Sequence, residues 1–513
     1  MRMIKQLLTV VLVGAFTITM TWPRSKASAA DPAFHVPADQ RQLFLDDMGI
    51  AKIGNLKRTM HQPSKKGAVI RPDLDLGETS KQTRTAPVWN PERKIFQFWD
   101  IKGNTAPHSN VSGYYESKDG LHWSKPIVGQ IEFRGSKQNN YVAIALKDGG
   151  RSAPGWVVYD VTDPDPNRRY KGMGFHDWGK VTATSPDGVN WTLQDVPSIP
   201  SEDESNFSFD EKAHLFIATV KVGAYGRSHA LSTSKDFVNW TKPELIFHAD
   251  ELDQELARIY IERRRANPAL QQARFHTPAK YHVDVYNFAV FRYEGLYIGL
   301  PMMFYQTGPN PTYPNQDGYE EIQLACSRDL HNWKRLGNRA AFIPASPLGA
   351  GAYDVGQITP PSNAVVRGDE LWFYYSGFTY THESLDYVGE YPNGEFVPDP
   401  SRDPDRSAIC LAVLRRDGFI SLDACEQEGM VLTDPFKLPG GKLFVNVDAV
   451  KGELRVEVLD CKGKVTAQSE PLTGDLLREP VMWAEGNIAD LKGQTASLRF
   501  TLRNGQFYSY WLE

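Results

Sequence analysis

Four segments of this chain end in the same turn and the same tryptophan. They are Ser117-Lys118-Asp119-Gly120-Leu121-His122-Trp123, Ser185-Pro186-Asp187-Gly188-Val189-Asn190-Trp191, Ser234-Lys235-Asp236-Phe237-Val238-Asn239-Trp240 and Ser327-Arg328-Asp329-Leu330-His331-Asn332-Trp333. A pattern Ser-x-Asp-x-x-(His/Asn)-Trp that recurs in this way marks one unit of local structure used repeatedly. Ser and Asp side chains satisfy the amides of a tight turn, Gly or Asn takes its unusual dihedrals, and the Trp packs underneath. These residues are structural punctuation, and none is a candidate catalyst.

Apolar or aromatic strands accompany the turns at residues 94–99, 156–160, 215–220, 296–304 and 371–377. Five strand-rich units with long loops between them predict a five-bladed β-propeller. Residues 41–47 form an alternating strand ahead of the first unit and are expected to close the ring on the last blade. Residues 250–272, rich in Glu, Leu, Ala and Arg, read as a helical insertion. From residue 426 the pattern changes to short alternating strands at 442–447, 453–459, 496–502 and 507–511, the signature of a small antiparallel β-sandwich with an accessory role. The expected fold class is all-β: a propeller catalytic domain over 31–425, then a sandwich over 426–513.

A chain of 513 residues exceeds one compact core. Aromatic residues, including 12 Trp and 22 Tyr, suit a β-rich core and equally suit stacking on sugars. A net charge of −5 without a basic block excludes nucleic acid as the main partner. Arg2 and Lys5, the apolar run 7–20 and Ala27-Ser28-Ala29 form a signal peptide over 1–30, so the mature chain begins near Ala30 or Asp31 and is secreted or periplasmic. No later stretch is apolar enough to span a bilayer. Cys326, Cys410, Cys425 and Cys461 fit no metal motif, and their pairing is left open.

Several segments resemble a known group. Leu43-Phe44-Leu45-Asp46-Asp47, the Asp-turn-Trp repeats, Asp284-Val285-Tyr286-Asn287-Phe288, Tyr293-Glu294-Gly295-Leu296-Tyr297-Ile298-Gly299 and Arg416-Asp417-Gly418-Phe419 are similar to secreted bacterial proteins described as family 32-like glycosidases. These in turn resemble the five-bladed propellers of glycoside hydrolase families 32, 43, 62 and 68. The resemblance spans most of the mature chain and implies a glycosidase with acids on its innermost strands. The family 32 signature Trp-Met-Asn-Asp-Pro-Asn-Gly is absent, and Arg402-Asp403-Pro404 stands too late for that family's Arg-Asp-Pro. Fructan specificity is therefore not carried over.

Glycoside cleavage needs one protonated and one ionised carboxyl group, often with a third acid that tunes the donor. Asp203, Asp284 and Asp354 stand at similar places in three successive units and are the expected catalytic set. Asp203 is expected as nucleophile or base, Asp284 as general acid desolvated by Tyr286 and Phe288, and Asp354 as modulator, the last two being exchangeable. Arg84, Asn206, His282, Tyr286, Glu321 and His382 are candidate substrate contacts. The segment from Asp160 to Asn167 reads as a turn rather than a calcium loop. No metal or other cofactor is called for, and no Ser-His-Asp elbow or phosphate loop occurs. The expected partner is a carbohydrate. The competing readings are a glycan-binding propeller without catalysis and a sialidase-like hydrolase.

Overall fold

A computed structural model describes residues 34–74, 78, 80–101, 110–311, 315–349, 351–382 and 405–513. The signal segment and Arg402-Asp403-Pro404 lie outside the described residues. Among the described residues the fold is all-β apart from one α-helix and short 3-10 turns. The first antiparallel sheet runs Val88–Asn90, Ile95–Trp99, Ser112–Ser117 and Tyr141–Val142. A second contains Trp156–Tyr159, Tyr170–His176, Gly179–Ser185 and Thr192–Leu193, and a third Ser205–Asp210, Leu215–Val222, Ser228–Ser234 and Glu244–Phe247. The next sheet starts with His282–Tyr293, Leu296–Pro309 and Gln316–Ile322. A parallel bridge from Glu320 to Gln357 carries it on into Glu370–Phe378 and Ser407–Arg415.

The central strands are buried along nearly their whole length. Leu296–Pro309 is buried except at its last residue, and Glu370–Phe378 except at its first. A strand reads this way when both faces of its sheet are covered. Neighbouring sheets are tied by buried side chains: Thr85 Oγ1 donates to the Val157 carbonyl at 2.9 Å, Trp156 Nε1 to Ser205 at 2.8 Å, and Ser208 Oγ to Val290 at 2.5 Å. The Thr83 amide returns to Ser376 Oγ at 2.7 Å, which joins the first sheet to the last.

The repeated turn takes the form its residues dictate. Asp187 Oδ1 accepts the amides of Val189 and Asn190 at 2.9 and 2.8 Å, and Ser185 Oγ accepts that of Gly188 at 2.9 Å. Trp191 Nε1 donates back to the Gly188 carbonyl at 3.1 Å. Gly120 and Gly188 hold φ of 75° and 80°, but in the other two copies Phe237 and Leu330 occupy that left-handed position at 61° and 70°. The strain costs a non-glycine residue about 1–2 kcal/mol. Phe237 and Leu330 are buried in the cores of their sheets, and full burial of such side chains contributes about 1.5–3 kcal/mol, enough to offset it. Each turn docks on the sheet before it: Trp99 Nε1 donates to the Gly188 carbonyl and Tyr374 Oη to that of Gly120, both at 2.8 Å.

The helical insertion is present as Glu251–Arg265, opened by a capping box between Asp250 and Asp253. Asp160 is engaged by Thr162 and Asp163 by Lys171, so that segment forms a braced turn. The four cysteines are free. The C-terminal strands form a sheet built around Leu443–Asp460, Thr495–Arg503 and Gly505–Leu512, with Val445, Val456, Phe500 and Phe507 in its core.

One expectation is corrected. Residues 41–47 do not join the last unit: Gln42–Leu43 pairs with Gly505–Leu512. The strand that completes the last unit is Ser64–Ile70, which pairs with Ser407–Arg415. The alternation around Phe44 has another cause. Phe44 enters the C-terminal core, while Leu43 and Leu45 enter the core of the large preceding sheet. The segment is a seam between two cores, so it alternates without being a blade edge. Ile50–Gly54 and Lys57–Met60 also belong to the C-terminal sheet, paired with Gly429–Thr433 and Ile420–Ala424. Buried Asp417 locks this seam, accepting from Arg41, Tyr293 and Ser509, each at 2.6 Å.

The turn packing has a measurable consequence. A Cβ on Gly188 would lie 2.5 Å from the Trp99 ring, at φ +80°, whereas Gly129 has φ +68° and open space around it. Gly188→Ala is expected to destabilise by about 2–4 kcal/mol, from strain plus overpacking, and Gly129→Ala by about 1–2 kcal/mol. Equilibrium denaturation of the two variants checks the difference.

Candidate functional site

The polar residues that matter come from several strands and from the segments that lead into them. Glu204 immediately precedes Ser205–Asp210. Arg84 grips it with a fork: Nε donates to Oε2 and Nη2 to Oε1, both at 2.6 Å. Asn287 Nδ2 adds a third bond to Oε2 at 2.9 Å. Asn287 follows a β-bulge in His282–Tyr293, and such a bulge re-aims the side chains beside it. Burial alone would raise the Glu204 pKa, but the charge and fork of Arg84, the charge of Lys221 and the Asn287 bond overrule it and hold the carboxyl well below its usual range.

Glu320 lies on Gln316–Ile322 and is 1% exposed. Its Oε1 has no hydrogen-bond partner. Burial, reinforced by the negative charge of Glu204, pushes its pKa up to about 8, against the pull of Arg227, Lys221 and Arg84. The two acids thus sit in opposite states at neutral pH, Glu204 ionised and Glu320 protonated.

A cationic ring surrounds them. Lys221 pairs with Asp203 at 3.0 Å and lies 4.0 Å from the centroid of the Tyr286 ring. Arg227 pairs with Asp284 at 3.1 Å. Lys180 donates to the Asp203 carbonyl at 2.6 Å. His382 packs against Tyr286 with ring centroids 5.2 Å apart, and its Nε2 lies 3.4 Å from the Tyr286 hydroxyl. Burial pushes the His382 pKa down to about 3, so the ring is neutral. His229, 0% exposed and without a partner on either ring nitrogen, is pushed down to about 3 by burial and by Lys221.

The residues expected from the sequence fall into two groups. Arg84, Asn206, Tyr286 and His382 belong to this cluster; Asn206 Nδ2 donates to Asn287 Oδ1 at 3.2 Å. Asp203 stands at its edge, 60% exposed. Asp284 is buried within it, held by Arg227, by Gln306 Nε2 at 2.7 Å and by His282 at 3.0 Å. Burial does act to raise its pKa, as expected of a general acid, but His282 and Arg227 outweigh burial and the net shift is downward. That correction removes the physical reason for giving Asp284 the donor role.

Asp354 and Glu321 have partners of their own. Asp354 is held by Lys65 at 2.6 Å and Tyr375 at 2.8 Å. Glu321 faces Arg264 of the inserted helix at 3.3 Å and accepts the Ala345 amide at 2.7 Å. Neighbours in a strand point to opposite faces, which separates Glu321 from Glu320. Asp203 and Glu204 are likewise adjacent but lie ahead of the strand, Asp203 exposed and Glu204 partly buried. Among the described residues no group of His, Cys, Asp and Glu is arranged to hold a metal ion, and no helix is long and apolar enough to cross a membrane.

No protein-family model matches the chain, and no curated protein matches it in sequence. Solved structures similar to it include an N-acetylgalactosamine deacetylase from F. plautii in complex with blood group B trisaccharide, at 13% identity over 71% of this chain and 97% of that one, TM-score 0.42. Another is the catalytic domain of a Coprinopsis cinerea GH62 α-L-arabinofuranosidase, at 12% identity over 69% and 97% of the two chains, TM-score 0.40. A third is an exo-β-1,3-galactanase from Phanerochaete chrysosporium with galactose, at 11% identity over 87% and 99%, TM-score 0.36.

The buried neutral acid has a signature in stability. Between the ordinary glutamate pKa of 4.5 and about 8, folded Glu320 keeps a proton that the unfolded chain has released, so stability falls as pH rises through that window. Glu320→Gln removes this contribution. The variant is expected to lose less stability than the parent between about pH 5 and about pH 8, as measured by thermal unfolding.

Proposed function

We propose that this protein is a secreted glycoside hydrolase whose five sheet units form a five-bladed propeller. The units would run from Val88 through Arg415, with Ser64–Ile70 as the closing strand. Residues 42–60 and 420–512 would form the accessory domain, a sandwich assembled from both ends of the mature chain. The observation that carries the functional reading is the pair of opposed carboxyl groups, Glu320 neutral and Glu204 ionised, in one polar cluster. Such a divided pair is what acid-assisted glycoside cleavage requires.

In this reading Glu320 donates its proton to the glycosidic oxygen as the bond to the anomeric carbon breaks. Positive charge develops on the sugar ring, and ionised Glu204 stabilises it; a water molecule then adds to the anomeric carbon and gives up a proton to the Glu320 carboxylate, which restores the starting state. Arg84 and Asn287 keep Glu204 fixed, so no reorganisation is needed as charge develops. Asp203 and Asp284 pair with Lys221 and Arg227 and set the field around the donor, while Asn206, Tyr286, His282 and His382 shape the walls. Asp354 and Glu321 are assigned to the scaffold. One observation favours a glycan-binding protein without catalysis: both oxygens of Glu204 are already engaged.

Hydrolysis of a panel of aryl glycosides and oligosaccharides decides between the two. Glu320→Gln is expected to lower kcat by about 10²–10⁴-fold, the usual contribution of a positioned proton donor, and Glu204→Gln to lower it at least comparably. The rate should fall as pH rises through about 8, where Glu320 loses its proton. Asp354→Asn should lower the unfolding temperature while largely sparing kcat. Saturable glycan binding without turnover would support the binding reading instead.

A further inference from the structure

We propose that the site takes a sugar bearing an anionic substituent, a carboxylate or a sulfate ester, held by the ammonium group of Lys180. This inference rests on the carbohydrate reading above and names the class of substrate. Three of the cluster's four cations already have a carboxylate: Arg84 has Glu204, Lys221 has Asp203 and Arg227 has Asp284. With Glu320 neutral, the three acids are thereby used, and Lys180 is the surplus charge. It is 1% exposed, and its single hydrogen bond goes to the Asp203 carbonyl at 2.6 Å. Two aromatic rings fence it, Trp156 at 4.2 Å and Phe175 at 4.5 Å from their centroids. Among the described residues no carboxylate lies within 4.0 Å of it. A buried ammonium with unused donors is costly, and an incoming anion relieves that cost.

A second observation points to a sugar as the carrier. Two residues before Lys180, Trp178 projects from the hairpin and is 74% exposed. Asp177 and Trp178 both have positive φ, 46° and 54°, a conformation unfavourable for a bulky aromatic, which holds the ring outward. Phe175 stands edge-on to it at 6.4 Å. A flat apolar ring beside a buried cation offers one surface for a pyranose face and one charge for its acidic group.

Binding should carry a proton signature. Burial pushes the Lys180 pKa down to about 7; Glu204 and Asp203 oppose that shift, and Lys221 and Arg84 add to it. An anion arriving beside Lys180 raises its pKa, so complex formation at about pH 8 draws in a proton. The test is calorimetric titration of the full-length mature protein with glucuronic acid, galactose 6-sulfate, galactose and sodium phosphate, in two buffers of different ionisation enthalpy. Either acidic sugar should bind roughly tenfold tighter than galactose, with net proton uptake, as expected for a desolvated charge pair. Lys180→Met should abolish both the preference and the uptake while remaining folded, and Lys180→Arg should keep the preference and lose the uptake. Equal affinity for acidic and neutral sugars, an unchanged preference in Lys180→Met, or phosphate binding as tight as either acidic sugar would overturn the proposal. Acidic sugars that bind but are never released from glycosides would sink the hydrolase reading alone; turnover of neutral glycosides with no acidic preference would sink this one alone.

Discussion

The central strands of the sheets between Val88 and Arg415 are covered on both faces, and that constraint governs the rest. A strand such as Glu370–Phe378 has almost no polar surface to offer water, so its sheet needs a neighbour on either side. The neighbours meet through apolar cores and through hydroxyl bonds from Thr85, Ser208 and Ser376 to carbonyls of the next unit. Buried backbone groups need partners, and at the narrow inner edge of such an arrangement side-chain hydroxyls supply them. The repeated Asp turns serve the same end at the rim, where Gly188 and Gly120 offer carbonyls to Trp99 and Tyr374 of the preceding sheets.

The candidate site follows from that packing. Several strands and the segments that lead into them converge, and they bring polar residues that no core can accept. Their desolvation is then shared unequally. Glu204, partly buried, receives a guanidinium fork and an amide and remains charged; Glu320, more fully buried, has one oxygen with no donor and remains neutral. The contrast between these two glutamates comes from who sits beside them, since both begin as the same chemical group.

Much of this was legible in the sequence. The Ser-x-Asp turn, its Trp and the strands beside it are local chemistry, and each behaves as its residues require. The inserted helix was readable from its composition, and Arg84, Asn206, Tyr286 and His382, named from the sequence as candidate substrate contacts, fall within one polar cluster. The carboxylates themselves were harder. Glu320 and Glu321 are adjacent in a strand, where alternation says that neighbours differ without saying which one faces inward, and Asp203 and Glu204 are adjacent just ahead of a strand, where no alternation applies. That sign is set by tertiary partners: Arg264 of the inserted helix claims Glu321, and Arg84, 120 residues away in sequence, claims Glu204. Lys180 and Lys221 gave no signal because a lysine in a strand ordinarily reaches solvent. The role of residues 41–47 was misread because a strand between two cores alternates like a strand on a sheet edge.

The closing strand carries a consequence for how the chain is made. Ser64–Ile70 has to wait for Ser407–Arg415, and Gln42–Leu43 for Gly505–Leu512, both far later in the chain. These strands therefore find their partners late, and both outer edges stay unpaired while the sheets between them form. Closure depends on contacts far apart in sequence, which are the slow kind to make.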